Sequence, residues 1–421
     1  METKYSRDKP TALEVAHKES AYTLGARKAW CSGVAGSVLL QLATIGPIAA
    51  FGVFQDFYTV TWLSQYSKSE ISWIGSTGLF LELTFGVIGS KLYDMGYCHS
   101  VLLSGSVLWT FSFFMLSLVQ EQRYYQIFLA QGLGMGLGVS LIFVPTITLV
   151  SHHFRVKKGL AMGILSSSGP LGTLIFTILL NQLIHYGPGF QWAVRAAAFL
   201  SLGCLVLGNI LISVPSRRAQ SSIEPPQMQN TTILKNIPYT LIIISGFVAQ
   251  LGTFFPLFYI QLFAVEHSIS NSLAFYSLAI MNGAGIVGRS LPGYAADKWG
   301  SIEVWSICEA LSGALCFAML GSDSVVGLVL FCILYGFFFG GVISVYMPVV
   351  ATLTPREANM GASLGIASIP IGIAALIGNP IIGAIIGTPS AWWKGVTFAS
   401  VCMIASAGIT ALARSIYVRR H

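Results

Sequence analysis

Two short stretches decide how this chain is read: Ser90-Lys91-Leu92-Tyr93-Asp94-Met95-Gly96 and Gly293-Tyr294-Ala295-Ala296-Asp297-Lys298-Trp299-Gly300. Each sets an aspartate, a basic residue and a glycine where one long apolar run ends and the next begins, and the two lie about half a chain apart. Such self-similarity marks a duplicated unit. A membrane protein made of two similar halves is the reading that follows.

Composition agrees. Of the 421 residues, 54% are apolar and 9% charged, against roughly 25% charged in soluble domains. The formal net charge of +7 raises nucleic acid as a partner, but the basic residues lie between apolar runs instead of forming a stripe interleaved with exposed aromatics. No nucleic acid is expected. The bilayer is the partner this composition requires.

Working outward from the two aspartates, runs able to cover the crossing of about 20 residues occur near 34–57, 71–92, 100–119, 125–149, 159–183 and 192–213, then near 239–263, 272–293, 302–320, 325–347, 361–386 and 391–413. The expected fold is all-α, with twelve transmembrane helices in two pseudo-symmetric six-helix bundles, 34–213 and 239–413. Residues 1–33 make an N-terminal tail, 214–238 a polar linker holding Arg217, Arg218 and Glu224-Pro225-Pro226-Gln227, and 414–421 a C-terminal tail.

Lysine and arginine gather on the cytoplasmic side of membrane proteins. Here the N-terminal tail holds Lys4, Arg7, Lys9, Lys18, Arg27 and Lys28, and alternate loops add Lys91, Arg155, Lys157, Lys158, Lys235, Lys298 and Arg356. The opposite face has Lys68, Arg123 and Lys394. Both termini and the linker are therefore expected in the cytoplasm, with the plasma membrane as the expected location. The tail lacks the apolar core and cleavage site of a signal peptide, so no leader is expected to be removed. The acceptor pattern Asn230-Thr231-Thr232 falls in the linker, away from glycosyltransferases.

Chemistry is sparse. Cys31, Cys98, Cys204, Cys308, Cys316, Cys332 and Cys402 show no pairing or metal-ligand spacing. His152 and His153 adjoin in a loop without further ligands, and no phosphate-cradling G-x-x-x-x-G-K-[ST] occurs. No catalytic residue, metal or cofactor is expected. Gly132, Gly134, Gly136 and Gly138, and Gly361, Gly365, Gly372 and Gly378, instead permit close helix approach.

Three ordered stretches carry a family resemblance. They are Gly52-Val53-Phe54-Gln55-Asp56-Phe57-Tyr58 with Ser69-Glu70-Ile71-Ser72-Trp73-Ile74-Gly75-Ser76; Phe154-Arg155-Val156-Lys157-Lys158-Gly159-Leu160-Ala161-Met162-Gly163; and Asn282-Gly283-Ala284-Gly285-Ile286-Val287-Gly288-Arg289-Ser290-Leu291-Pro292-Gly293 running into Asp297. Together they resemble the monocarboxylate porter family of the major facilitator superfamily, its fungal members in particular. The resemblance implies a carrier that exposes its site alternately to either side. It implies that Asp94 and Asp297 latch the inner gate, where carboxylates meet helix N-termini, and that Arg289 anchors a substrate carboxylate. The stretch Arg155-Val156-Lys157-Lys158 also suits plain topology and anionic-lipid contact.

Charges inside a membrane are costly and mark function by default. Arg289 lies eight residues before Asp297, about 12 Å up its helix, and its planar fork suits a carboxylate; an ion pair with Glu309 is the competing use. Glu82 is the leading proton-coupling candidate and Glu309 a second one, while a neutral structural role remains open for Glu82. Arg195 is placed for snorkelling or helix pairing. The chain departs from the animal porters: Gly25 to Trp30 and Ile48-Ala49-Ala50 replace their acidic pattern and substrate lysine, and Gly285 replaces the acid one turn before the arginine. Lactate–proton symport is thereby weakened.

The expected function is secondary active transport of a small amphipathic organic solute, an acid by preference, with export of a secondary metabolite favoured by Gly169-Pro170-Leu171-Gly172, which resembles an antiporter kink motif. Proton-linked uptake of a monocarboxylate and a transporter-like nutrient sensor are the alternatives. Gln41, Gln250, Asn282, Tyr335 and Tyr346 join Arg289 as expected lining residues of a mostly apolar central cavity, protons are the candidate co-substrate, and a monomer is the expected working unit.

Overall fold

The positive-φ glycines of the structure repeat the duplication seen in the sequence. Gly96 has φ +90° and Gly300 has φ +99°, a region that side chains with a Cβ disfavour, and each ends one of the two aspartate signatures. Asp94 is thus carried in the segment Tyr93–Tyr97, which kinks at Gly96 between two helices, and Asp297 in the last turn of a helix that runs on to Trp299. The sequence reading had set both aspartates in loops. Helical turns run on to Tyr97 and Trp299, past the apolar runs that end near 92 and 293, because apolarity ends before hydrogen bonding does.

The chain is seen in a computed structural model that describes residues 32–153, 158–212, 234–355, 360–387 and 391–420. The tail up to residue 31, most of the linker with Arg217, Arg218 and Asn230, the stretch Arg155 to Lys157, and Arg356 lie outside the described residues. So do the side chains of Asp94 and Lys158.

Twelve long helices follow in order: α1 (Ser32–Trp62), α2 (Lys68–Leu92), α3 (Cys98–Leu116), α4 (Tyr124–Val150), α5 (Lys158–His185), α6 (Phe190–Leu211), α7 (Ile237–Glu266), α8 (Asn271–Trp299), α9 (Ser301–Ala318), α10 (Val325–Leu353), α11 (Met360–Ile386) and α12 (Trp392–Arg420). Eleven of them are long and apolar enough to cross a membrane. The exception is α8, whose 29 residues include Arg289, Asp297 and Lys298. Its packing among the others gives it a place in the bundle that its composition alone does not.

Helices α1 to α6 pack on one another, as do α7 to α12, and the two groups meet mainly through α2 against α11, α5 against α8 and α1 against α7. Backbone proximity sets these contacts. A Cβ added to Gly288 would stand 2.1 Å from the carbonyl of Phe337, and one on Gly336 would stand 2.0 Å from that of Met281, so only glycine lets α8 lie this close to α10. Within the first group, buried polar side chains find partners on neighbouring helices: Trp109 donates to Ser201 at 2.9 Å and Tyr58 to Gln131 at 2.8 Å. With an even number of helices, the first and last described residues, 32 and 420, lie at one end of the bundle, together with Asp94 and Asp297. We call this the termini end and the other the far end.

Candidate functional site

Arg289 stands where the two groups of helices face each other. Its Nη1 donates at 2.7 Å to the backbone carbonyl of Ser166 on α5, and a Cβ on Gly169 would stand 3.2 Å from the same nitrogen. Its Nε has no hydrogen-bond partner among the described residues, so the guanidinium keeps donor capacity in a place that excludes water. The acid whose charge acts on it is Glu82 of α2, from the opposite side of the interface. Glu82 is buried, and its Oε2 has no hydrogen-bond partner. Thr84 Oγ1 on α2 and Gln250 Nε2 on α7 are also buried without a hydrogen-bond partner among the described residues. Buried polar atoms are nearly always bonded. Arg289 and Glu82, which act on each other across the interface and each keep a buried atom unbonded, leave capacity for something else to bond.

The other expected residues divide sharply. Glu309 does not pair with Arg289; it is enclosed between α7, α9 and α12, accepting from Ser406 at 2.6 Å and Thr410 at 3.1 Å, with Ser245 bridging both hydroxyls at 2.7 Å. Tyr335 donates to the carbonyl of Thr253 at 2.8 Å and Tyr346 to that of Ala367 at 3.2 Å. Gln41 donates to Thr146 at 3.0 Å and accepts from Ser168 at 3.2 Å. Each of these three is turned into its own group of helices, because a buried polar group takes the nearest acceptor and that acceptor is a bundle neighbour. Asn282 donates at 2.9 Å to Leu278 of its own helix. Arg195 reaches Ser117 at 3.4 Å and lies over Trp192. Asp297 is exposed at the end of α8.

The far end holds residues that sequence reasoning left out. Lys68 at the start of α2 pairs with Glu266 at the end of α7 at 2.7 Å, and the same glutamate accepts from Trp392 Nε1 at 3.0 Å. Behind them, Gln261 of α7 donates to Asp56 of α1 at 3.0 Å and to Asn181 of α5 at 3.1 Å. Asn181 in turn donates to the carbonyl of Phe275 on α8 at 2.6 Å. Gln182 bonds Tyr276, Ser69 donates to the carbonyl of Pro380 at 2.8 Å, and Phe51 lies 4.9 Å from Phe258. Apart from the Glu266–Trp392 bond, which lies within the second group, each of these contacts joins one six-helix group to the other. They seal the far end. A cavity of about 170 Å³, lined by Asn181, Gln182, Tyr186, Ser272, Phe275 and Tyr276, sits at this seal instead of at the midplane. The single signal available beforehand was Asp56, an acid in an otherwise apolar run.

Comparison with known proteins fits this geometry. Residues 31–356 match the family model described as Major Facilitator Superfamily. The chain is 33% identical over 384 residues to the aspyridones efflux protein of Emericella nidulans, covering 90% of this chain and 76% of that one. It is 36% identical over 351 residues to the agnestins efflux protein of Paecilomyces divaricatus, covering 83% and 79%. An MFS-type transporter of Ophiocordyceps sp. is 34% identical over 403 residues, covering 95% and 86%. Among solved structures, a nucleoside transporter superposes with a TM-score of 0.67 at 14% identity, over 92% of this chain and 99% of that one; at that identity the likeness speaks for the fold alone. The chain therefore belongs to the Major Facilitator Superfamily of membrane transporters.

Proposed function

We propose that this transporter is a secondary active exporter whose cargo is a small amphipathic organic acid, a secondary metabolite of the general kind named for its efflux relatives. The observation that carries the reading is Arg289, a guanidinium held at the interface between the two halves with an undischarged Nε. A bidentate fork in a water-poor site favours a planar, anionic oxygen pair. Thr84 and Gln250, each with a buried unbonded atom, are the proposed neutral hydrogen-bonding groups for the cargo. Glu82, acting on Arg289 from α2, is the proposed proton-coupling residue, since an anion reaching Arg289 is accommodated at least cost when the charge of Glu82 is neutralised.

In this reading the bodies that rock are 34–213 and 239–413, joined by the linker 214–238. The termini end with Asp94 and Asp297 faces the cytoplasm, the far end faces outward across the plasma membrane, and the monomer is the working unit. The three stretches shared with fungal monocarboxylate porters support a place within that group. The competing reading, proton-linked uptake of a monocarboxylate, draws on the same electrostatic influence of Glu82 on Arg289 and differs in direction.

The test is flux of a labelled panel, running from short monocarboxylates to bulky amphipathic acids, in oriented vesicles with an imposed pH gradient. Export driven by the gradient and lost in Arg289→Ala is the expected result. Gradient-driven uptake of short acids would reverse the direction. Flux indifferent to Arg289 would remove the carboxylate-anchor role.

A further inference from the structure

The carbonyl that holds Arg289 is not an arbitrary one. In a helix the carbonyl of residue i accepts from the N–H of residue i+4. For Ser166 that residue is Pro170, which has no N–H. The proline ring also pushes the i−4 carbonyl away from the helix axis. Arg289 Nη1 supplies the missing donor from the other half of the molecule, at 2.7 Å. The neighbouring Gly169 leaves room for it, since a Cβ there would stand 3.2 Å from that nitrogen. Helix α5 thus presents an acceptor stripped of its own donor, beside a residue with no side chain, at the point where the one arginine of α8 crosses the interface.

We infer that Pro170 and Gly169 make the Ser166 carbonyl a resident stand-in for the cargo's acceptor oxygen, and that exchanging one for the other is the step that frees α5 from α8. The inference rests on Arg289 being the cargo anchor. While the carbonyl is engaged, Arg289 is held extended in its binding geometry and the two halves are pinned at this level. A carboxylate oxygen is a stronger acceptor for a guanidinium than a neutral carbonyl, so an arriving anion replaces the pin. Empty carrier stays locked and loaded carrier is released. Gly169 and Pro170 act through Arg289 and are positioning residues.

The experiment uses the full chain in nanodiscs with benzoate as the probe acid and spin labels at Ile164 of α5 and Tyr294 of α8, both exposed. Pro170→Ala returns an N–H to position 170 and draws the Ser166 carbonyl back to the helix. The ligand-free distance distribution is expected to broaden toward that of benzoate-saturated wild type, while benzoate affinity rises about tenfold, the factor that corresponds to about 1.4 kcal/mol. Gly169→Ala, which crowds the guanidinium without touching the helix bond, is expected to broaden the distances in the same way. Arg289→Lys, keeping the charge but not the fork, is expected to lose both the lock and most of the affinity. Benzoate binding that depends on Arg289, with Pro170→Ala and Gly169→Ala indistinguishable from wild type in both readouts, overturns the lock and leaves the anchor standing. Benzoate binding that is absent, or unchanged in Arg289→Ala, overturns the anchor and the exchange with it.

Discussion

The far-end seal makes a quantitative prediction at Lys68. Its ammonium sits 2.7 Å from Glu266, with side-chain exposures of 9% and 31%, and 4.9 Å from the ring centre of Trp392. A hydrogen bond between charged groups contributes about 1.5–3 kcal/mol, and a cation over an aromatic face about 0.5–1 kcal/mol where water still reaches. In Lys68→Met the stem still packs, Glu266 keeps its bond from Trp392 and its partly exposed oxygen regains water, which offsets part of the loss. A net weakening of the closed far end by about 2 kcal/mol remains, or about 30-fold in the closed-to-open ratio. If the closed form is favoured about 100 to 1, the variant stands near 3 to 1, with roughly a quarter of molecules open. Spin labels at Glu121 and Ser270, on exposed positions of opposite halves at this end, should show a second, longer distance in nanodiscs that wild type lacks. The charge-reversed pair Lys68→Glu with Glu266→Lys should restore much of the short distance. A single short distance in Lys68→Met would refute the reasoning. So would a Glu266→Gln variant that stays as closed as wild type, since the amide keeps the packing and an acceptor for Trp392 and removes only the charge.

Three further outcomes follow from features elsewhere. Gly300→Ala forces a Cβ onto φ +99° and within 2.2 Å of a Glu303 carboxylate oxygen, and thermal unfolding should register a loss of about 1–3 kcal/mol; a neutral result would mean that the turn can relax. Glu309→Ala strips the acceptor from Ser406 and Thr410 in a fully enclosed place and should destabilise the protein by about 2–4 kcal/mol, with Glu309→Gln costing less; equal losses would deny the hydrogen bonds their role. A protease-cleavable tag added after His421 should be protected in intact cells and cut in opened ones, and the opposite pattern would invert the assigned sidedness.

The helices were legible because membrane insertion imposes a length and an apolarity that no soluble helix must meet. Arg289 was legible for the same reason, as a charge that lipid penalises. What the chain does with its uncharged polar residues was not. Tyr335, Tyr346 and Gln41 were chosen as groups in apolar spans, yet nothing in a span dictates which face a tyrosine occupies, and all three bond within their own bundle. Asp56 and Gln261 meet across 205 positions, and neither belongs to a periodic pattern that announces the other. Even α8 passes below the apolarity expected of a crossing helix because the residues that give it work to do, Arg289 and Asp297, dilute it.

The two halves share a plan but not a mechanical character. Among the described residues, π-helical turns occur at Tyr58–Trp62 and Phe128–Met135, both in the first half. A wide turn holds one residue more than the α-helical hydrogen-bond ladder needs, and that surplus can migrate along the helix at low cost. The second half has instead a carboxylate accepting from two hydroxyls that a third links, across α7, α9 and α12. One half can therefore creep and re-register around a passing solute while the other keeps its shape, so mobility during turnover should be lopsided, with the first half yielding and the second serving as the anvil.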